Sequence, residues 1–239
     1  MKVGLSRTLN EDEAAIAEIG GSRNKIGDPT GKAGQIATIM EQRLMLGAYQ
    51  PGEMLSFNML ADEFKVSRQP VSVAISHLRA SGYVEVLPQV GCRVVHPSLP
   101  DIVDFFTVLG KIESTVAAMA AKRHEPNEGK LLLKLDPPQK LSNMAAIANR
   151  RAYIAYVDKF HDMLWKMART PLLESKIAGL RRLSNFYLWQ GMPTLAPSAA
   201  KTLISERTEI AKAIVARDSR RAAALMERHI SEKPQIIFA

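Results

Sequence analysis

The chain has 239 residues, 46% of them hydrophobic, and a single cysteine, Cys92. That is enough apolar material for one large or two modest cores, and it excludes a wholly disordered chain, an intramolecular disulfide and a multi-cysteine metal site. The formal charge of +8 invites a nucleic-acid partner, but residues 1–32 and 33–97 each hold five basic and five acidic side chains, and the whole excess lies in residues 98–239, with 22 basic against 14 acidic. No apolar run approaches the ~20 residues of a membrane span, and the first residues carry no apolar signal-peptide core. The expectation is a soluble cytoplasmic protein without a membrane partner.

Residues 1–32 offer one short helical possibility, around Glu11 to Ile19, closed by Gly20 and Gly21 and followed by turn formers. They read as a loosely ordered extension. From Gln35 the apolar residues Ile36, Ile39, Met40, Leu44 and Leu46 keep helical spacing up to Gly47, a suitable stop. The following AYQPGEML reads as a turn, and Ser56 can cap a second helix containing Met59, Leu60 and Phe64. After a break at Lys65 and Val66, a third helix starts at Ser67 as N-cap, with Pro70 in its first turn. Its residues Val71, Ala74, Ile75 and Leu78 make one apolar face. Its other face carries Arg68, Gln69, Ser72, Ser76 and Arg79, with no carboxylate among them. Two short helices around a tight turn, the second opening on polar residues, form a helix-turn-helix pattern.

The stretches YVEVL and CRVVH read as two strands around PQVG, where Gly91 can supply a positive φ. Such a hairpin is either a wing, whose tip Gln89 to Gly91 and nearby Arg93 approach DNA, or a hairpin that merely closes a small core. PSLPDI, Pro97 to Ile102, reads as a short stiff linker. Beyond it no strand is expected. Helical patterns cover DIVDFFTVLGKIESTVAAMAAKR, then Ser142 to Ala168, Leu172 to Trp189, Ser198 to Ala216, and a last segment capped by Asp218 and running to about Glu232. A break is expected around Glu125 to Gly129, and LLLKLDPPQ is helical or irregular. The fold class is therefore mainly α: a winged helix-turn-helix of three helices plus a β-hairpin over residues 33–97, followed over 98–239 by an antiparallel all-α bundle.

Three polar side chains sit in apolar stripes of that bundle. His161 follows Ile154 and Val157, Arg207 lies between Leu203 and Ile210, and His229 follows Ala222 and Leu225. Taken singly, each reads as a satisfied core side chain, the arginine reaching outward or pairing with Glu206, Asp158 or Glu174. Three on three helices point to a common pocket. The aromatic residues Tyr153, Tyr156, Trp165, Tyr187 and Trp189 could line it or simply fill the core. No phosphate loop, HExxH motif or nucleophile elbow is present, so no enzyme is expected.

The motifs QPGEML, LADEFKVSRQPV, HLRASGYVEVLPQVG and RVV, in this order between Gln50 and Val95, resemble the winged domain of the GntR family of bacterial transcription regulators. The resemblance implies DNA binding, with Arg68, Gln69 and Ser72 toward bases, and Asn58, Arg79 and the wing tip toward phosphates; Ser67 belongs to the same candidate surface. Where that family usually has an arginine two places after the helix proline, this chain has Ser72, which cannot make arginine's bidentate contact to guanine. VDKFHDML, ERTEIAKAI and ARDSRRAAALMERHI are similar to helices of the FCD effector-binding domain, which the resemblance extends over residues 100–239.

In many FCD domains an Asp or Asn and three His bind zinc or nickel that helps hold a carboxylate effector. The corresponding positions are Val157, His161, Arg207 and His229, so only two ligands survive. Arg207 cannot lose its proton and brings positive charge, which disfavours a metal and suits an acid. Asp158 is expected to point away, about 100° round the helix from its neighbour. An arginine common in the first FCD helix is replaced by Leu109. The expectation is no metal cofactor, with zinc or nickel as the alternative, and a small carboxylate held by Arg207 with His161, His229, Val157 and Trp165. The partners implied are a short inverted-repeat operator in double-stranded DNA and a second copy of the chain. The competing readings are a small-molecule-binding dimer with incidental, non-specific DNA contact, and a regulator that has lost its effector and metal.

Overall fold

The computed structural model describes residues 31–138, 141 and 143–238. The helix expected near Glu11 and the extension around it lie outside the described residues. Helix α1 (Lys32–Met45) buries Ile36, Met40 and Leu44. It closes around Gly47 (φ +71°), with Ala48 N–H donating to the Arg43 carbonyl (2.9 Å) and Gly47 N–H to that of Leu44 (3.1 Å), the bond pair of a left-handed helix stop. Helix α2 (Phe57–Glu63) is capped by Ser56, whose hydroxyl accepts from Met59 N–H. It stops in the same way on a non-glycine residue: Lys65 has φ +53° and Val66 N–H reaches the Ala61 carbonyl at 3.0 Å. Helix α3 (Arg68–Ala80) turns Val71, Ala74, Ile75 and Leu78 inward. Ser67 holds its N-cap position, but contrary to expectation its side chain makes no cap hydrogen bond.

The wing is more than a hairpin. Strands β2 (Val84–Leu87) and β3 (Gly91–Val94) pair antiparallel, with Glu85 opposite Arg93. Strand β1 (Met54–Leu55), inside the stretch read as a turn, pairs with the other edge of β3, giving the order β1-β3-β2. Gly91 is buried against β1, where a Cβ would run into the Leu55 carbonyl oxygen. The reading that placed it on the exposed tip is therefore corrected. Its neighbour Gln89 (φ +64°) takes the left-handed position in a turn closed by Val90 N–H on the Leu87 carbonyl at 3.1 Å.

The presumed linker is largely helix. Ser98 and Asp101 form a reciprocal capping box with a proline in the first turn, and α4 runs from Leu99 to Arg123. Helix α5 (Pro126–Leu133) starts inside the expected break, boxed by Glu125 and Glu128. Helices α6 (Ile147–Ala168), α7 (Pro171–Gly191), α8 (Pro197–Val215) and α9 (Ser219–Ser231) follow, α6 beginning at Ile147 rather than Ser142. A further short helix, α10 (Lys233–Ile237), extends the chain beyond the last expected one. Helix α4 is the central strut, packed by α6, α8, α9 and α10. Gly110 lets α9 lie close: a Cβ there would stand 3.2 Å from the Glu227 carbonyl oxygen.

The N-terminal unit rests on α7. Glu41 of α1 takes the Arg182 guanidinium at 2.7 Å and accepts from the Tyr83 hydroxyl at 3.0 Å. The Tyr83 ring meets Phe186 edge-on at 5.3 Å. Gly47 lies against the Trp189 indole around Nε1, which leaves no room for a Cβ, and the Arg150 guanidinium stacks over the same ring at 4.6 Å. Among the described residues no helix is long and apolar enough to cross a membrane.

Candidate DNA-reading face and effector site

Helix α3 offers Arg68, Gln69, Ser72, Ser76 and Arg79 to solvent, while its opposite face is buried. Asn58 at the start of α2 and Gln89 at the wing turn are also exposed. Arg93 is exposed but engaged, because its guanidinium pairs with Glu85 across the strands at 2.7 Å. The periodicity argument passed over two residues of this surface. Lys65 stands exposed in the turn before α3, and Val73, 44% exposed, is an apolar side chain suited to a thymine methyl. Cys92 lies in the sheet core with its thiol pushed up to about 11 by burial, so it remains a neutral packing residue.

The three polar side chains of the bundle are all buried: His161 at 5% exposure, Arg207 at 1% and His229 at 1%. Each imidazole is oriented by a carboxylate. His161 Nδ1 lies 3.1 Å from Glu113 Oε2, whose other oxygen accepts from Trp165 Nε1 at 3.2 Å. His229 Nδ1 lies 2.6 Å from Glu206 Oε2. A carboxylate acceptor puts the ring proton on Nδ1 and leaves Nε2 as a lone pair; on His229 that Nε2 is buried without a partner. Burial pushes His161 down to about 4. His229 is driven well below its usual value by burial and by the charges of Lys233 and Arg207. Burial would raise Glu113, but His161, Arg181 and Trp165 outweigh it and hold the carboxyl below its ordinary value.

Arg207 pairs with none of the carboxylates offered by the sequence. One nitrogen donates to the Tyr153 hydroxyl (3.1 Å) and to the Leu203 carbonyl (3.2 Å), while Nε and Nη2 have no partner. The rings of Tyr153 and Tyr156 lie 5.4 and 5.6 Å from its guanidinium carbon. Tyr156 also lines an open groove of about 750 Å³ between α5 and α6, among Leu131, Leu135, Met163 and Met167. Val157 is buried and borders a small cavity of about 10 Å³, shared with Leu109, Glu113, His161 and Lys233. Asp158 lines this cavity too, so the expectation that it points away is corrected. The cavity is ringed by five helices, α4, α6, α7, α9 and α10, and one step along α6 still borders it. Asn185 donates to Asp158 at 2.6 Å.

The sequence model described as bacterial regulatory proteins, gntR family, matches residues 32–94, and that of the FCD domain matches residues 104–232. The chain belongs to the gntR family, in its FCD-bearing branch. It is thus a DNA-binding transcription regulator with an effector-binding domain. Among similar curated proteins are two from Escherichia coli: the HTH-type transcriptional repressor GlaR, 23% identical over 80% of this chain and 89% of that protein, and the repressor RspR, 24% identical over 83% and 85%. A GntR regulator from Rhodococcus sp. RHA1 shares the fold with a TM-score of 0.67 at 18% identity, covering 88% of this chain and 99% of that one. E. coli McbR/YncC does so with a TM-score of 0.64 at 17% identity, over 87% and 98%.

The residues present do not fit the divalent metal that the FCD resemblance implies. Val157 offers no donor atom, and Arg207 places a fixed charge where a ligand would stand. Among the described residues, no group of three or more His, Cys, Asp or Glu is placed to hold an ion. The carboxylate–histidine pairs typical of metal shells are retained, but the positive charges of Lys233 and Arg207 act on His229.

Proposed function

We propose that this regulator is a cytoplasmic homodimer, without enzymatic activity or a metal cofactor, that reads an inverted repeat through residues 33–97 and senses a small carboxylate through residues 98–239. On the DNA side, Arg68, Gln69 and Ser72 face bases with Val73, while Asn58, Lys65, Arg79 and Gln89 hold phosphates. Arg93 joins them only by leaving Glu85. Ser67 sits at the edge of the same face, and the buried Gly91 shapes the wing without touching DNA. Two copies are needed because one short helix per half-site gives too little grip and the operator's symmetry mirrors the protein's.

The sensing role is carried by one observation: Arg207 is buried with two of its three nitrogens unpartnered and no carboxylate on it. A desolvated guanidinium is stable only beside an acceptor that matches it, and a carboxylate fits its fork with two parallel hydrogen bonds. His229 Nε2 and the Tyr153 hydroxyl supply further polar contacts nearby. The test is a thermal-shift screen of carboxylic acids and of divalent metals on the native protein and on Arg207→Met. Acids are expected to raise the melting temperature of the native protein and not of the variant. Stabilisation by zinc or nickel alone, or by no acid at all, would leave the alternative of a metal-dependent or a ligand-free regulator.

A further inference from the structure

Helix α6 presents one row of side chains to the open groove beside α5: Ala152, Ala155, Tyr156, Lys159, Met163 and Met167, spaced to keep a single helix face. Leu131 and Leu135 form the opposite wall, and Leu131 is 61% exposed. The apolar walls thus stay open to water, and the volume of about 750 Å³ falls among those of small-molecule sites, roughly 300–1,000 Å³. Lys134, Lys159 and Lys166 also line the groove, and among the described residues none of the three has an ion-pair partner. Of the lining carboxylates, Glu128 is committed to the Arg169 guanidinium at 3.0 Å and to Glu125 N–H at 2.7 Å. That leaves Asp136 to face three ammonium groups. Tyr156 is 8% exposed, and among the described residues its hydroxyl has no hydrogen-bond partner.

We propose that this groove is a second ligand site, separate from Arg207, for an amphipathic organic anion: an acid group on Lys159 and the Tyr156 hydroxyl, and an alkyl or aryl body along Met163 and Met167. Tyr156 and Lys159 lie one turn apart on the same face, so one carboxylate accepts from both a hydroxyl and an ammonium. The first turn of α5 is tied to Arg169 at the end of α6. Its last residues, capped by Lys134, therefore lie toward Tyr156 and add a second positive charge at the acid end. From Lys159 to Met167 the helix advances about 12 Å at 1.5 Å per residue, which matches a tail of medium length. The two thioethers adapt to chains of different shape. The positive rim selects an anion over a neutral hydrocarbon. The Tyr156 ring also lies 5.6 Å from the Arg207 guanidinium carbon, so it borders both sites.

The probes are butyrate, hexanoate, octanoate and uncharged octanol, titrated by calorimetry into the full-length native protein, Ala155→Trp, Lys159→Met and Arg207→Met. In the native protein octanoate is expected to bind about tenfold or more tightly than butyrate, since each buried methylene is worth about three- to fourfold. It is expected to exceed octanol by about tenfold, the gain of a charge-assisted hydrogen bond. Ala155 is exposed on the groove wall, and Ala155→Trp, which fills the groove, is expected to erase the gain with chain length. Lys159→Met is expected to bring octanoate down to octanol. Arg207→Met is expected to keep the gain with chain length, so this site stands or falls apart from the carboxylate reading of Arg207. Octanoate binding no tighter than butyrate, or a gain that survives Ala155→Trp, overturns the groove site. A gain lost in Arg207→Met overturns it too, because the acid then sits on the guanidinium. So does a change from dimer to monomer in Ala155→Trp by sedimentation, which makes this face a contact between copies of the chain. The native comparisons need no variant to fold.

Discussion

The single side chains that decide this protein's chemistry are those whose partners are wrong for a core. His161 and His229 are kept neutral in the folded state, His161 with a pKa of about 4 against about 6.5 in an unfolded chain. The unfolded state therefore binds more protons between those values, and stability falls as pH drops from about 6.5 toward about 4, levelling below. Glu113, held low, adds loss at still lower pH. Glu206 and Asp158, both raised by burial, work the opposite way at the acid end. Thermal melts across this range should show the descent, and His161→Gln should flatten it; an unchanged slope in the variant would remove His161 as its source. The stripe periodicity made these histidines and Arg207 legible from the sequence, because an inward position is a matter of spacing alone. It could not reveal Lys233, which follows a helix that had run its expected length, in a five-residue helix too short to set a period.

At the scale of elements, α1, α2 and α3 were readable because each has an apolar face and a marked end, and the stops at Gly47 and Gly82 carry the positive φ that a glycine signals. The same stop at Lys65 gave no such signal, since lysine does not announce a left-handed residue. Strand β1 was missed because two residues cannot display alternation; it exists to pair the open edge of β3. Helix α4 begins within the presumed linker because Ser98, Pro100 and Asp101 work as a capping box, so prolines that looked like spacers are a helix start. On the proposed reading, helix α3 carries the reading function, and it does so with few groups. Replacing Arg68 with Ala should weaken operator binding by about 1–3 kcal/mol, the worth of a good base contact, in mobility shifts at fixed salt. Ser72→Arg should add a guanine preference in selection from random DNA. Native affinity in the first variant would take Arg68 off the reading surface.

Taken as a whole, the molecule is joined by α7. Arg181, Ser184 and Asn185 of this helix line the cavity beside His161 and Lys233, while Arg182, Phe186 and Trp189 of the same helix hold the winged unit through Glu41, Tyr83 and Gly47. A ligand that shifts α7 must shift the platform on which the reading helices stand. Coupling requires only that it prefer one of the two placements. Arg182→Ala removes a partly exposed pair worth about 1 kcal/mol or less, so folding and each separate affinity should survive. The change in DNA affinity caused by acid should shrink severalfold, measured as operator binding with and without ligand. Undiminished coupling would place the transmission elsewhere.

The Glu85 and Arg93 pair on the wing has a consequence for how the protein occupies a chromosome. Grip on arbitrary DNA comes from displacing condensed counterions, one for nearly every phosphate that a basic side chain neutralises. Residues 33–97 hold five such side chains, and two of them, Arg43 and Arg93, already spend their charge on Glu63 and Glu85. From this unit, non-operator DNA would then be gripped at few phosphates, so the winged unit depends on placed contacts more than on charge.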